Sequence, residues 1–424
     1  LGGKLDIAIC GAGPAGLAAA LYLKRTGHRV TVFEKFDKVA PVGSGLILQP
    51  TGLTVLHDLG LFGQIMELGS RIDRLHGIDA TSGRTVLDVR YGALAGGRFG
   101  LAVHRSALFG VLETATRREG LAIETGVDVE GLDVGQRAML ICTNGRRIGP
   151  FDLIIDATGA RSRLRRFADA PCEPTALAYG AFWASLDWRG EGFDERALLQ
   201  RYDKASVMVG VLPIGSPKPG AGRMAAFFWS LKPETAQQVQ AAGIEAWKER
   251  IVRLWPECEA FTEQIDGFDQ LTLARYGHHT MKVPAGRRLA VIGDAAHSTS
   301  PQLGQGANMA LLDAAALGHA LGSSKDVEAA LTRYARTRRR HVRAFQMLSR
   351  MFTPFYQSDS TLLPFLRDRL VATLATIPPA PQILAALVAG TVVDPFEATG
   401  LAELDWRAHP AASTEAKDWE KRPA

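Results

Sequence analysis

The sequence predicts an α/β fold in two domains: a doubly wound domain, an antiparallel sheet inserted into it, and helices at the C-terminal end. Three observations predict it. The chain opens with an apolar run, a glycine-rich turn, an Ala- and Leu-rich stretch and a second apolar run. Aromatic, strand-like runs separated by Gly, Pro and charged residues fill the middle. From residue 289 an apolar run and a second glycine-rich turn return, in "LAVIGDAAHSTSPQLGQGAN". A chain of 424 residues also exceeds what one compact core usually holds.

The opening stretch, "LDIAICGAGPAGLAAALYLKRTGHRVTVFEK", reads as a complete βαβ unit with a GxGxxG turn. In such a turn Gly11 permits the sharp bend, Gly13 lets the backbone approach a pyrophosphate, and Gly16 lets helix and strand pack closely. The helix that begins at Pro14 and Ala15 offers free N–H groups and about half a positive charge to the phosphates. Glu34 ends the second strand, where a carboxylate can accept hydrogen bonds from an unphosphorylated adenosine ribose. A dinucleotide is therefore expected. The turn alone does not choose between FAD and NAD.

After it, "GSGLILQP" (43–50) reads as a loop leading into a helix from about Thr51 to Leu59, and "VHRSALFGVLETATRREG" as another helix. Strands follow near "LAIETGVDVEGLDV" and "AMLICTNGRRIGPFDLIIDATG". From about Cys172 to Gly277 the runs "LAYGAFWASLDW", "ASVMVGVLPIG" and "RMAAFFWSLKP" predict an antiparallel sheet, with one helix near "IEAWKERIVRLW". Within it, Tyr202, Met208, Phe227 and Trp229 are candidates for an apolar pocket wall. "GVLPIGS" lacks the lysine and helix start of a phosphate loop and reads as strand and turn. The expected domains are 1–70, 101–170 and 277–322 for the nucleotide, 71–100 and 171–276 for substrate, and 323–424 as C-terminal helices and tail. The stretch from Val327 to Met351 reads as a basic helix whose "RTRRRHVR" is a solvated face, a contact with anionic lipid being the sharper alternative. The polar end "AASTEAKDWEKRPA" is expected to fray.

The second turn carries the chemistry. Asp294 follows an apolar strand, so its carboxylate stands where doubly wound sheets bind ligands and can accept hydrogen bonds from a polyol. Gly304 and Gly306 precede a helix, bringing bare N–H groups and a positive helix end to one point. An anionic ring such as a reduced flavin is stabilised there.

At these residues "GDAAHSTSPQLGQGANMALLDA" resembles the GDxxHxxxPxxGQGxNxAxxDA motif of the single-component FAD-dependent aromatic hydroxylases, the para-hydroxybenzoate hydroxylase or group A flavoprotein monooxygenase family. The resemblance covers about residues 5 to 345. It implies an FAD-binding Rossmann-like domain of the glutathione reductase type. Asp294 would bind the ribityl chain, and Pro301 with Gly304, Gln305, Gly306, Ala307 and Asn308 would line the flavin ring. "VHRSAL" would place Arg105 near the phosphates. Ser44 and Gly45 belong to the segment that runs along the flavin, and Lys35 and Val129 complete the expected FAD contacts. The implied activity is hydroxylation of a small aromatic substrate with O₂ and NADH or NADPH, through a flavin C4a-hydroperoxide. No second nucleotide fingerprint is needed, because in that family the flavin itself swings out to meet NAD(P)H. Gln49, Tyr202 and His278 are catalytic candidates, by chemistry and region, for a base or acceptor near a substrate hydroxyl.

One departure stands out. Where the family's middle motif usually has Asp-Gly, "DLIIDATGARSRLR" has Thr158, and Asp156 is the neighbour that could take over. The same wording occurs in flavin reductases of the geranylgeranyl reductase type, which leaves such a reductase or dehydrogenase, or a non-catalytic flavin protein that sequesters a ligand, as alternatives.

Composition narrows the rest. A net charge of +5 is small for this length and does not suggest nucleic acid. Cys10, Cys142, Cys172 and Cys258 form no CxxC pair, and no secretory leader pattern is seen, which favours a cytoplasmic location. "LVATLATIPPAPQILAALVAGTVV" is broken by Pro378, Pro379 and Pro381, so no spanning helix is expected. No metal is expected either: His297 has no third ligand at suitable spacing, and His278 and His279 point apart on a strand. HExxH and GxSxG are absent. A monomer or homodimer is expected.

Overall fold

Ile7 to Cys10 are apolar and buried on both sides, as a central parallel strand requires. In the computed structural model, which describes residues 3–37, 44–360, 362–367 and 377–408, this strand, Asp6–Cys10, lies at the middle of a six-stranded sheet. Gly43 and the polar end 411–424 lie outside the described residues. Arg29–Phe33 and Leu153–Asp156 flank the central strand in parallel. Ala122–Glu124 and Leu289–Val291 extend the sheet in parallel, and Ala285–Gly286 adds an antiparallel edge. Helix α1 (Pro14–Arg25) covers one face. Helix α2 (Pro50–Asp58) begins one residue before the expected Thr51, with Pro50 in its first turn where a missing N–H costs nothing. Helix α3 (Arg105–Arg118) packs beside α1.

The second sheet has seven strands: Thr272–Ala274, Gly180–Asp187, Met224–Leu231, Val207–Gly215, Ala197–Asp203, Arg74–Asp79 and Thr85–Arg90, in that spatial order. It is not wholly antiparallel. Ala197–Asp203 runs parallel to Arg74–Asp79, because the latter arrives from a distant part of the chain rather than through a hairpin.

Alternation along these strands gives the sheet two different faces. Phe182, Val209, Val211, Phe227 and Trp229 share one face with Trp247 and Ile251 of helix α4 (Ile244–Leu254). Trp247 meets Phe227 and Trp229 edge-on, at 6.2 and 6.1 Å between ring centroids. Phe227 and Trp229, expected in a pocket wall, therefore fill the core beneath α4. The opposite face carries Trp183, Leu212, Ile214, Ala226 and Phe228, and it sits on strand Gly45–Leu48 of the first domain. Contact is so close there that a Cβ on Gly45 would lie 2.4 Å from Ile214 Cγ2.

Helix α5 (Gly306–Ser323) crosses α1 where Gly318 lets Tyr22 approach; a Cβ at 318 would lie 2.6 Å from Tyr22 Cβ. Helix α6 (Val327–Tyr356) starts at an Asp326 cap, whose side chain accepts from Ala329 N at 2.7 Å. Arg336, Arg339, Arg340 and Arg343 form the exposed face expected of the basic run. Arg338 does not: it is buried against Asp313. Helix α7 (Ala380–Ala389) ends at Gly390 in the left-handed conformation. Beyond it the chain returns to the first domain, where Glu403 pairs with Arg98 and Trp406 packs on Phe99. No helix among the described residues is long and apolar enough to cross a membrane.

Trp247→Ala removes the ring that joins α4 to the sheet and should cost about 3–5 kcal/mol in denaturant unfolding. Arg339→Ala, on the solvated face, should stay within about 0.5 kcal/mol of the wild type.

Candidate active site

The glycines of the first turn divide by what they face. Gly11 (φ +104°) and Gly16 are forced by protein: a Cβ would fall 2.4 Å from Ala157 O in one case and 2.0 Å from Gly11 O in the other. A Cβ on Gly13 would meet nothing within 4 Å, so its missing side chain leaves room for something outside the chain. Pro14 and Ala15 open α1, which has no side-chain cap, and its first N–H groups face that space. Glu34 accepts from Ala12 N at 2.9 Å and from Phe36 N at 3.2 Å, so its carboxylate braces the turn. Lys35 lies over the Phe36 ring, and Val129 is buried at the start of strand Val129–Val134.

At the second turn, Gly293 takes a left-handed backbone (φ +62°) directly before Asp294. Its side chain is open to solvent yet walled in by protein, and that enclosure raises the carboxyl above its ordinary value, with His297 and Arg105 pulling it back down. Neither the Asp294 carboxylate nor the exposed Arg105 guanidinium makes a hydrogen bond or ion pair among the described residues. Pro301 and Gly304, the latter left-handed at φ +60°, lead to α5, whose N-terminus at Gly306 and Ala307 has no side-chain cap. Asn308 clamps the loops together. Its Oδ1 accepts from Gln49 N at 2.8 Å, and its Nδ2 donates to Ile47 O at 3.1 Å and Gly304 O at 2.9 Å. Gln305 is turned toward α7: Nε2 donates to Val388 O at 2.6 Å.

The three catalytic candidates do not converge. Gln49 is buried beside Gly304, and its Oε1 accepts from Tyr91 OH at 2.5 Å. Tyr202 lies farther along the sheet with Met208 and Phe228, its hydroxyl donating to Gln200 Oε1 at 3.2 Å; burial raises its phenol strongly. His278 points at α6, where its Nε2 accepts from Arg350 Nε at 2.8 Å. Burial and Arg350 both lower its pKa, which keeps it neutral. Different groups border the cleft. Trp183 Nε1 donates to Tyr276 OH at 2.8 Å, and burial pushes that phenol up to about 12, against the opposing pull of Trp183 and Arg105. Because His104 Nδ1 accepts from Ser106 N, its Nε2 carries the proton and donates to Ser185 Oγ at 3.2 Å. Ser185 in turn donates to Ser44, which donates to Ala184 O, so Ser44 ties the two domains together. Sequence reasoning missed Tyr276, Trp183 and Ser185; a lone aromatic or serine on a strand carries no spacing signal.

Asp156 does not take the place of the missing Asp at 158. Its carboxylate accepts from Thr158 N at 3.0 Å, Thr158 Oγ1 at 2.6 Å and Ser162 Oγ at 2.5 Å, and is wholly buried in shaping that loop.

Two uncapped helix ends, an open glycine, an unpartnered carboxylate and an unpartnered guanidinium around one cleft fit a long ligand with phosphates, a polyol and a ring. Residues 4–349 match a family model described as FAD binding domain. The chain belongs to this FAD-binding family. Among its relatives, 3-hydroxybenzoate 6-hydroxylase 1 of Aquipseudomonas alcaligenes is 26% identical over 82% of this chain and 89% of its own. The 3-amino-4-hydroxybenzoate 2-monooxygenase of Streptomyces cremeus is 29% identical over 74% of this chain and 77% of its own. In structure, 2-methyl-3-hydroxypyridine-5-carboxylic acid oxygenase superposes with a TM-score of 0.76 at 20% identity, covering 95% of this chain and all of that one, 100%. Klebsiella pneumoniae HpxO, complexed with FAD and uric acid, gives 0.75 at 21% identity, over 91% and 97% of the two chains. By family the protein is an FAD-dependent aromatic hydroxylase, and FAD is its cofactor.

The turn at Gly293 is held from behind by Asp313. This fully buried carboxylate accepts from Gly293 N at 2.8 Å, His297 Nε2 at 2.6 Å and Arg338 Nε at 2.7 Å. Burial alone would raise its pKa, but His297 and Arg338 outweigh that and lower it to about 2. His297, in the motif, thus orders the loop.

Two outcomes follow for the FAD loops. Asn308→Ala should weaken FAD retention about 10-fold or more, since three bonds joining the loops are lost, measured by fluorescence titration of apoprotein with FAD. Asp313 has a folded pKa below its unfolded value, so its stabilisation is full above about pH 4 and lost as pH falls toward 2, on the order of 2 kcal/mol. Asp313→Asn should remove that acid-limb component from the stability profile.

Proposed function

We propose that the protein hydroxylates a small, electron-rich aromatic substrate using O₂ and a nicotinamide donor, NADH or NADPH, within the cleft between its two domains. When bound, FAD supplies the electron storage and O₂ activation that amino-acid side chains lack. In this reading Gly13, the α1 N-terminus and Arg105 hold the phosphates, Asp294 the polyol, and the N-terminus of α5 the anionic edge of the ring. What supports the reading is the set of groups the fold leaves open: Asp294, Arg105 and the uncapped α5 N-terminus belong to the first domain, and half-buried Trp183 and Leu198 give the facing sheet an apolar edge. Such an apolar edge excludes water and seats a ring.

Tyr276 is the polar contact this reading assigns to the substrate. Its phenol, raised to about 12, stays protonated at neutral pH, and its oxygen already accepts from Trp183. Its own proton is thus available to donate to a substrate oxygen. It orients the ring and does not act as a base.

The test is oxidation of NADH or NADPH stimulated by phenols, hydroxybenzoates or N-heteroaromatics, run under ¹⁸O₂ with mass analysis of the product. One labelled oxygen per turnover is expected. Substrate-dependent oxidation of the donor with no label in the product would instead indicate a reductase. Tyr276→Phe should raise KM about 10-fold with FAD content unchanged, the loss of one neutral hydrogen bond.

A further inference from the structure

The family match ends at residue 349, yet the packed core between the two sheets does not. Helix α7 buries Ala385, Val388 and Ala389 in the cluster that holds Ile47, Leu212 and Ala226, and it lies against strand Thr85–Arg90 and the turn Tyr91–Ala93; half-buried Leu384 packs on the edge of that cluster, as Trp183 and Leu198 do elsewhere along it. These residues lie on the sheet face that looks toward the FAD loops, not the face beneath α4.

Helix α7 is also fixed in place by the FAD side of the molecule. Gln305 donates to Val388 O at 2.6 Å. At the helix end, His341 Nε2 donates to Gly390 O at 3.0 Å. Burial and Arg338 lower the His341 pKa to about 3, so the ring is neutral; its Nδ1 accepts from Arg338, which leaves the proton on Nε2. Gly390 (φ +84°) fits so closely that a Cβ would lie 2.7 Å from Thr51 Oγ1. Beneath this turn Gln49 Nε2, Thr51 Oγ1 and Gln305 Oε1 are buried without hydrogen-bond partners. Because Tyr91 holds the oxygen of Gln49 and Val388 the nitrogen of Gln305, one amide retains a donor and the other an acceptor.

We propose that α7 is the specificity wall of the substrate site, with Leu384 setting how large an uncharged aromatic ring system the cleft admits. The inference rests on the cleft assigned above as the substrate site. Leu384 limits the apolar end of the ring. Tyr276 takes the oxygen at the other. Residues of α7 facing solvent, such as Ile383 at 56% exposure, have no part in it.

The test measures dissociation constants of phenol and 2-naphthol for the FAD-loaded protein, read from perturbation of the flavin visible spectrum, a readout independent of turnover. Leu384→Ala should shift the affinity ratio toward 2-naphthol by about 10-fold, and Leu384→Trp should shift it about as far toward phenol, the range expected when a pocket gains or loses a few methylene volumes. Ile383→Ala should leave the ratio within about twofold. The proposal would be overturned by an unchanged ratio in both Leu384 variants at full FAD content, or by failure of the wild type to bind either compound. A shifted ratio in a protein that incorporates no ¹⁸O would uphold the wall and reject the reaction.

Discussion

A carboxylate buried as completely as Asp313 is tolerable only if donors replace the water it has lost, and this one has three. Each comes from a different part of the molecule: the turn after strand Leu289–Val291, the loop that follows it, and helix α6. An apolar contact at this point would hold the same elements together without fixing their direction. The carboxylate fixes both oxygens, and so the amide of Gly293, the plane of His297 and the fork of Arg338 are set relative to one another. Through Arg338 and His341 the same chain of hydrogen bonds reaches Gly390 at the end of α7. The position of the FAD turn and the position of α7 are two ends of one buried polar network.

The second constraint is steric. The seven-stranded sheet approaches strand Gly45–Leu48 closely enough that position 45 admits no side chain, while the Ser44–Ser185–His104 bonds set the register of that approach. The approach of the two domains is thereby fixed, and the Trp183–Tyr276 hydrogen bond lies on the side of the second sheet. Asn308 performs the matching task on the other side by holding the Gln49 backbone to the Gly304 turn.

These constraints explain which parts of the molecule were legible in the sequence. The βαβ unit is local: Gly11, Gly16 and the apolar strands act on neighbours a few residues away, so their pattern suffices. The second turn was legible because Asp294, Gly304 and Gly306 sit together in one stretch. Phe227 and Trp229 were not. A period of two separates two faces of a strand but does not say which will be covered, and that depended on α4 presenting Trp247 and Ile251 to their side. Arg338 looks like its neighbours in "RTRRRHVR", and only Asp313, distant in sequence, distinguishes it. Gln305 sits in the most informative motif of the chain, yet its side chain serves α7, a segment whose sequence carries no motif.

The electrostatic state of the cleft ties these points to FAD. Asp294 has its carboxyl raised by enclosure, and Arg105 has no ion-pair partner among the described residues, although each acts on the other through space. The two are too far apart to pair directly, and the uncapped N-termini of α1 and α5 add further positive potential on the same side. A ligand with hydroxyl donors in its middle and negative charge at both ends relieves all of these at once. In the proposed reading the hydroxyls satisfy Asp294, the phosphates meet Arg105 and α1, and the ring edge meets α5. Without such a ligand the arrangement is electrostatically unfinished, and its charges match the sequence of groups along FAD.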